Sequence, residues 1–367
     1  MLDNKFRRTL VGMAAFVICA FYAATGTSQA ATLDAAQKKA IIDEIAVVLK
    51  TNYIFLETAR KIEEALRGRL AKGDFDALTG PGPFAQAVSA TIRDVSKDKH
   101  MGFAFNPEGA ANLRRLQGQS EDEARKVRDR QLQNARRDNF GFRKVERLEG
   151  NVGYIDFRYF ADPGQAGDTA VAAMNFLAHC DAIIVDLRQN GGGMPAQIQL
   201  ICSYFFDGPA HLNDLYTRST DSTDQYWTLP YVPGPKPVNA DLFILTSART
   251  FSGAEEFTYN MKNLKRATVI GDTTGGGAHP TRGMIIQTDY ILRVPFARAV
   301  NPVSKTNWEG TGVAPDIAVP ADQAFDRAYT LALETLAAKT TDAEWKTELE
   351  RILSGRRTKG PAPRGAN

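Results

Sequence analysis

Histidine and cysteine are scarce in this chain. There are four histidines and three cysteines among 367 residues. No group of them has the spacing of a zinc site. Neither glycine-rich loop is followed by Gly-Lys-Ser/Thr, which excludes a P-loop. Gly191-Gly192-Gly193 does not extend into the G-x-G-x-x-G dinucleotide pattern. No metal and no other cofactor is therefore expected. Charge of one sign is lacking too: the formal net charge is only +3, and nothing suggests nucleic acid as a partner. Long apolar runs are confined to the N-terminus. Leu10 to Ala24 is about fifteen residues, short of the ~20 a spanning helix needs.

That run reads as part of a secretory signal peptide over residues 1–30. Lys5, Arg7 and Arg8 form a positive start, and Ser28-Gln29-Ala30 is a small-x-small cleavage site. The mature protein is then exported, to a periplasm or beyond, with no stable membrane insertion after cleavage. Cys19 falls inside the apolar run, leaving Cys180 and Cys202. In an oxidising compartment these two form a disulfide or stay as separately buried thiols, and both arrangements remain open.

Past the signal, roughly 335 residues suit two domains. Residues 31–105 read as a small helical bundle, with Ile41, Ile42, Ile45, Val48 and Leu49 at helical spacing. Thr79-Gly80-Pro81-Gly82-Pro83 interrupts it. Residues 106–139 are strongly charged and read as an exposed helical connector. From about Phe140 strands and helices alternate. Strands are expected at 142–148, 152–157, 182–187, 212–218, 242–246, 267–270, 284–288 and 291–295, and helices at 166–179, 196–206, 253–264 and 322–338. This is an α/β core over residues 140–345 with a largely buried sheet. The basic, Gly- and Pro-containing residues 346–367 read as a disordered tail.

Two glycine-flanked elbows could carry chemistry. The apolar run 182–187 ends in Asp186, Arg188 and Asn190, then three glycines, then a helix. Bare backbone at a helix N-terminus suits negative charge, whether phosphate, carboxylate or oxyanion. The run Leu242 to Thr246 leads to Ser252 and a second helix. A hydroxyl at such an elbow is exposed to the helix's positive end, although Ser252-x-x-Glu255 is equally a capping box. A nucleophilic serine needs a base and a group to orient it. His179 ends a helix and His211 sits in a loop without a motif, so neither stands out. His100 lies at a domain boundary and His279 beside Thr273-Thr274-Gly275-Gly276-Gly277. Both remain candidates. Glu309, in Asn307-Trp308-Glu309-Gly310, could orient an imidazole, although a loop acid is more often simply solvated.

Together these segments resemble the tail-specific (C-terminal-processing) serine protease family, in its interphotoreceptor retinoid-binding protein-like branch. The resemblance rests on Phe75-Asp76-Ala77-Leu78-Thr79 with Val95 to His100, Val185 to Gly193, Thr250 to Glu256, Gly271 to Pro280, and Asn301-Pro302 with Asn307 to Gly310. It implies a ClpP/crotonase-like fold with Ser252 as nucleophile. The processing branch places a lysine about twenty-five residues later, where this chain has Gly277, so a Ser-Lys dyad is absent. The family's other pattern, Ser-His-Glu, maps onto Ser252, His100 and Glu309 and favours His100 over His279, which stays the alternative base. Some relatives with this pattern carry a serine where this chain has Lys99. The connector leaves no room for the PDZ domain of the processing proteases.

The expected activity is peptide-bond hydrolysis through an acyl-enzyme, with peptide or protein as substrate. Gly253 and one glycine of 191–193, taken as Gly192, are expected to supply the oxyanion donors. Asp186, Arg188 and Asn190 then support that loop. Two other readings follow from the same branch and fold. One is a retinoid- or fatty-acid-type carrier without turnover, the other an esterase. The sequence leaves the oligomeric state open.

Overall fold

The computed structural model describes residues 32–118 and 120–359. The signal-peptide expectation lies outside them. Helices α1 (Ala35–Asn52), α2 (Leu56–Ala71) and α3 (Pro81–Ser96) form the N-terminal bundle. Asp34 caps α1 by accepting from the Gln37 N–H, and Gln37 reaches back to the Asp34 N–H. α3 starts on a proline, whose missing N–H costs nothing in the first turn. It stops at Lys97, which takes the left-handed conformation (φ 56°). The chain then turns through Asp98 and His100 into strand β1 (Gly102–Phe105).

Helices α4 (Pro107–Gly118) and α5 (Glu121–Arg137) follow. The second buries no side chain, as its charge density requires. The core opens with β2 (Phe142–Leu148) and β3 (Val152–Phe157), and α6 (Pro163–Phe176) leads into β4 (Ala182–Asp186) and α7 (Pro195–Cys202). After β5 (His211–Thr217) and β6 (Ser222–Trp227) come β7 (Asp241–Thr246), α8 (Gly253–Asn263) and β8 (Ala267–Gly271). The strands β9 (Thr281–Ile286), β10 (Tyr290–Pro295), β11 (Ala297–Val300) and β12 (Ile317–Ala318) precede helices α9 (Ala324–Lys339) and α10 (Ala343–Lys359).

The main sheet has the order β12-β8-β7-β4-β3-β2, with β2 antiparallel on its edge and the rest parallel. Every residue of β4 is buried, which accounts for its unbroken Ala-Ile-Ile-Val run. One face packs on α6, α7 and α8 through Ile183, Val185, Ile198 and Phe257. The other packs on α9 and α10 through Ile184, Phe243, Leu333 and Leu349. This three-layer arrangement is the ClpP/crotonase-like α/β core with a helical N-terminal region.

Two expectations need correction, and one open question is answered. Residues 346–359 are not a disordered tail: they belong to α10, where Leu349, Ile352 and Leu353 are buried as one helical face. Their basic, glycine-containing surroundings hid that face. The bundle also does not end as an independent unit at residue 105. β1 pairs with β10 in the sheet β1-β10-β9, and Ile42, Leu66, Phe84 and Phe103 share one apolar cluster with Ile286, Leu292 and Val294. Arg218 donates to the carbonyls of Lys50, Thr51 and Tyr53, satisfying the open C-terminal end of α1 from the core side. Finally, Cys180 and Cys202 are buried free thiols, not a disulfide. Burial pushes both thiols up from their ordinary range, so both serve as apolar packing.

Candidate active site

The site forms where β4 and β7 end side by side, at the carboxyl edge of the parallel sheet. Asp186, the last residue of β4, takes both sides of the Arg188 guanidinium, at 2.9 and 2.6 Å, and accepts from the Tyr154 hydroxyl at 2.8 Å. Arg188 also donates to Ala321 O. Asn190 donates to Phe157 O at 2.9 Å and accepts the Gly192 N–H at 2.8 Å, while its carbonyl accepts the Phe251 N–H. These three residues therefore brace the glycine loop against β3 and against the segment bearing Ser252.

That bracing bears on the oxyanion donors. The Gly192 N–H points at Asn190 and is already engaged, which argues against the expected choice of Gly192. The Gly193 N–H has no acceptor among the described residues, and neither has that of Gly253. The two glycines are in close contact: a Cβ added to Gly253 would lie 2.8 Å from Gly193 N. Gly193, at φ 145°, is the better partner for Gly253.

Ser252 sits at φ 53°, ψ −120°, a conformation that L-residues seldom adopt. It is the strained elbow expected of a serine held between strand and helix. Glu255 holds it there. This carboxylate is fully buried and accepts the N–H of Ser252, of Gly276 and of Gly277, and the Thr274 hydroxyl. Burial raises its carboxyl, against the lowering effect of these donors. As a capping-box acid it was visible in the sequence. Its second role, tying the 274–277 loop to the elbow, was not, because those partners lie about twenty residues away.

His100 reaches the same place from the bundle. Its ring lies against Phe251, the residue before Ser252, with centroids 4.8 Å apart. Its Nδ1 is 3.7 Å from Glu309 Oε2 and has no hydrogen-bond partner among the described residues. Its N–H donates to Asp98 Oδ1. A Cβ at Gly277 would lie 2.4 Å from His100 Cε1 and 2.3 Å from the Phe251 ring. A side chain at 277 and an imidazole at 100 thus exclude each other, which gives a steric reason for glycine at the lysine position of the processing branch.

Glu309 is fixed by the Ala278 N–H at 2.6 Å and the Lys99 N–H at 3.2 Å. Trp308 Nε1 donates to Gly277 O and the Gly310 N–H to Gly276 O, which fastens the two loops together. Lys99 Nζ donates to Gly275 O, so Lys99 braces loops rather than the imidazole. Burial by itself would raise the Glu309 carboxyl. The His100 and His279 imidazoles and the Ala278 N–H outweigh it and leave the carboxyl below its ordinary value. His279 is buried beside the same acid: its Nδ1 is 3.5 Å from Glu309 Oε2 and 2.8 Å from Asp98 Oδ2. The remaining histidines are elsewhere. His211 pairs with Asp214 and stacks on Trp227, and His179 is exposed.

One turn beyond Ser252, Glu256 is buried against Asn213. Burial lifts its carboxyl from 4.5 to about 7, the neighbouring Asn213 amide offsetting part of the rise. Below the lower value both folded and unfolded chains hold the proton. Between the two values only the folded chain does, so stability falls as pH rises through about 7. Glu256→Gln is expected to flatten this dependence, with a relative gain on the order of 3 kcal/mol at alkaline pH. Urea unfolding midpoints on either side of neutrality, compared for the two proteins, measure it. Equal pH slopes would count against a buried protonated acid.

This is the architecture of the ClpP/crotonase-like serine peptidases. Residues 151–319 match the model described as Peptidase family S41. It is 32% identical over 103 residues to a tail-specific protease of Haemophilus influenzae, a match covering 26% of this chain and 13% of that protein. The chain thus spans only a small part of that relative. Two solved structures share the fold. One, from Parabacteroides merdae and provisionally described as a peptidase, has a TM-score of 0.56 at 17% identity, covering 81% of this chain and 96% of its own. The other, a lipoprotein from Streptococcus agalactiae, has a TM-score of 0.51 at 14% identity, covering 86% and 100%. Among the described residues no helix is long and apolar enough to cross a membrane.

Proposed function

We propose that this protein is an exported serine peptidase that hydrolyses peptide bonds through an acyl-enzyme, without a PDZ domain. The observation that carries the reading is the meeting of three remote segments around one carboxylate: His100 contacts both Glu309 and the ring of Phe251, the residue next in chain to Ser252. With Nδ1 turned toward Glu309, Nε2 is the nitrogen left for the serine hydroxyl. His100 takes the Ser252 proton as the hydroxyl attacks the carbonyl, then returns it to the leaving amine. Glu309 orients the ring and stabilises its cationic form. At 3.7 Å the pair is longer than a hydrogen bond, so substrate binding has to draw the two together by under an ångström. The N–H groups of Gly253 and Gly193 receive the oxyanion. The carrier alternative is less well supported. The cleft beside the site, about 320 Å³, is lined by Lys97, Asp98, His279 and Glu309 as well as Tyr53 and Phe55, which suits no long apolar ligand.

Labelling with a serine-reactive fluorophosphonate tests the reading. The adduct is expected on Ser252, together with cleavage of a peptide mixture, and both disappear in Ser252→Ala. No adduct on Ser252 and no Ser252-dependent cleavage would sink the enzyme proposal. Ester turnover without peptide cleavage would make the protein an esterase.

A further inference from the structure

Glu309, the proposed partner of His100, is also shared with two further donors that the hydrolytic steps leave unused. Asp98, His279 and Glu309 bring one carboxylate oxygen, one imidazole nitrogen and a second carboxylate oxygen within 4.8 Å of one another. His279 Nδ1 stands 2.8 Å from Asp98 Oδ2 and 3.5 Å from Glu309 Oε2. Ligand atoms around a tetrahedral zinc ion, at bonds of ~2.0–2.2 Å, lie about 3.4 Å apart. The His279–Asp98 edge has to open by about 0.6 Å to meet that value, the His279–Glu309 edge already matches it, and the two carboxylate oxygens start within 4.8 Å of each other. A second observation points to the same spot. His100 is 8% exposed, and its Nδ1, 3.7 Å from Glu309 Oε2, has no hydrogen-bond partner among the described residues.

The surroundings are those of a built site. Asp98 Oδ1 accepts the His100 N–H, and the Tyr53 hydroxyl is 3.5 Å from Asp98 Oδ2. The two oxygens of Glu309 accept the Lys99 and Ala278 N–H groups. The His279 ring is held edge-on by Phe55. Such outer contacts orient ligands. All three donors line the cleft of about 320 Å³, which supplies an entry path. Lys97 also lines it, while the Lys99 ammonium is turned away onto Gly275 O.

We infer that Asp98, His279 and Glu309 form a binding site for a divalent transition-metal ion, zinc fitting best, and that the bound ion inhibits the enzyme. One imidazole and two carboxylates suit zinc better than calcium or magnesium, which take oxygen alone. On binding, the proton on His279 Nδ1 moves to Nε2 or leaves to solvent, and the metal takes its place. Glu309 is then committed to the cation and can no longer balance charge on His100. Local sequence spacing does not reveal the set, because its members come from three distant segments. The inhibitory part rests on the peptidase reading; the binding part does not.

The experiment keeps the two apart. Zinc chloride is titrated calorimetrically into full-length Ser252→Ala, in which activity plays no part. One ion per chain is expected. Affinity should fall at least about tenfold in Ser252→Ala/His279→Gln and in Ser252→Ala/Asp98→Asn, and stay unchanged in Ser252→Ala/His211→Gln. Circular dichroism of each variant checks that it is folded. In the wild-type protein, zinc should slow fluorophosphonate labelling, and a chelator should restore it. Binding that is absent, or indifferent to His279→Gln and Asp98→Asn alike, would overturn the site. Intact binding without slower labelling would overturn the inhibition alone.

Discussion

His100→Ala should lower kcat/KM for peptide cleavage by at least about 10⁴-fold, with KM little changed, because removing the base of the proposed triad removes transition-state stabilisation rather than binding. His279→Ala should cost far less, roughly a hundredfold, as expected of a residue that positions a catalytic carboxylate. The contrast follows from where each ring is anchored. His279 has its Nδ1 on Asp98, 3.5 Å from Glu309 Oε2, and its ring edge-on to Phe55. His100 lies on Phe251 with a free Nδ1. Steady-state kinetics of the two variants decide between them. If His279→Ala is the crippling change and His100→Ala the mild one, the base has been misassigned.

The second large effect concerns the glycine loop. Gly193→Ala places a Cβ 2.1 Å from Phe160 O, at a φ of 145°. The loop has to move, and with it the N–H proposed to face the oxyanion. A loss of kcat of at least about a hundredfold is expected, with roughly 1–3 kcal/mol of stability lost to strain. Gly191→Ala is the matched control. A Cβ there meets nothing within 4 Å, so stability should stay within about 0.5 kcal/mol and activity should be retained. Thermal unfolding and kcat measured on both variants provide the test. Equal behaviour of the two would remove Gly193 from the oxyanion site.

Much of the fold was legible because burial writes itself into composition. β4 and β7 are apolar runs bounded by glycine and polar loops, and their bounds are off by a residue at most. β6 escaped because it is an edge strand whose residues Ser222 to Gln225 face solvent, so no alternation marks it. β1 escaped because four residues carry too little pattern. The 346–359 segment was misread on its basic character, although Leu349, Ile352 and Leu353 recur at helical spacing. The site was legible only in part. Ser252 and the glycines announce themselves through local geometry, strand then turn then helix. The Asp98–His279 contact spans 181 positions, and the Glu255 contacts to Gly276 and Gly277 are made across a loop. No periodicity records either. The Gly192–Asn190 bond also lies beyond sequence reading, since it depends on which way one peptide plane faces.

The pairing of β1 with β10 has a consequence for the order of synthesis. His100 is among the first residues of the site to leave the ribosome, yet the edge on which its strand rests is made only with Tyr290 to Pro295. The oxygen that faces its ring arrives later still, at Glu309. A growing chain therefore exposes its serine elbow long before His100, the proposed base, is seated. In an unfinished copy the proposed hydrolytic centre stays unassembled, with no separate inhibitory segment required to silence it.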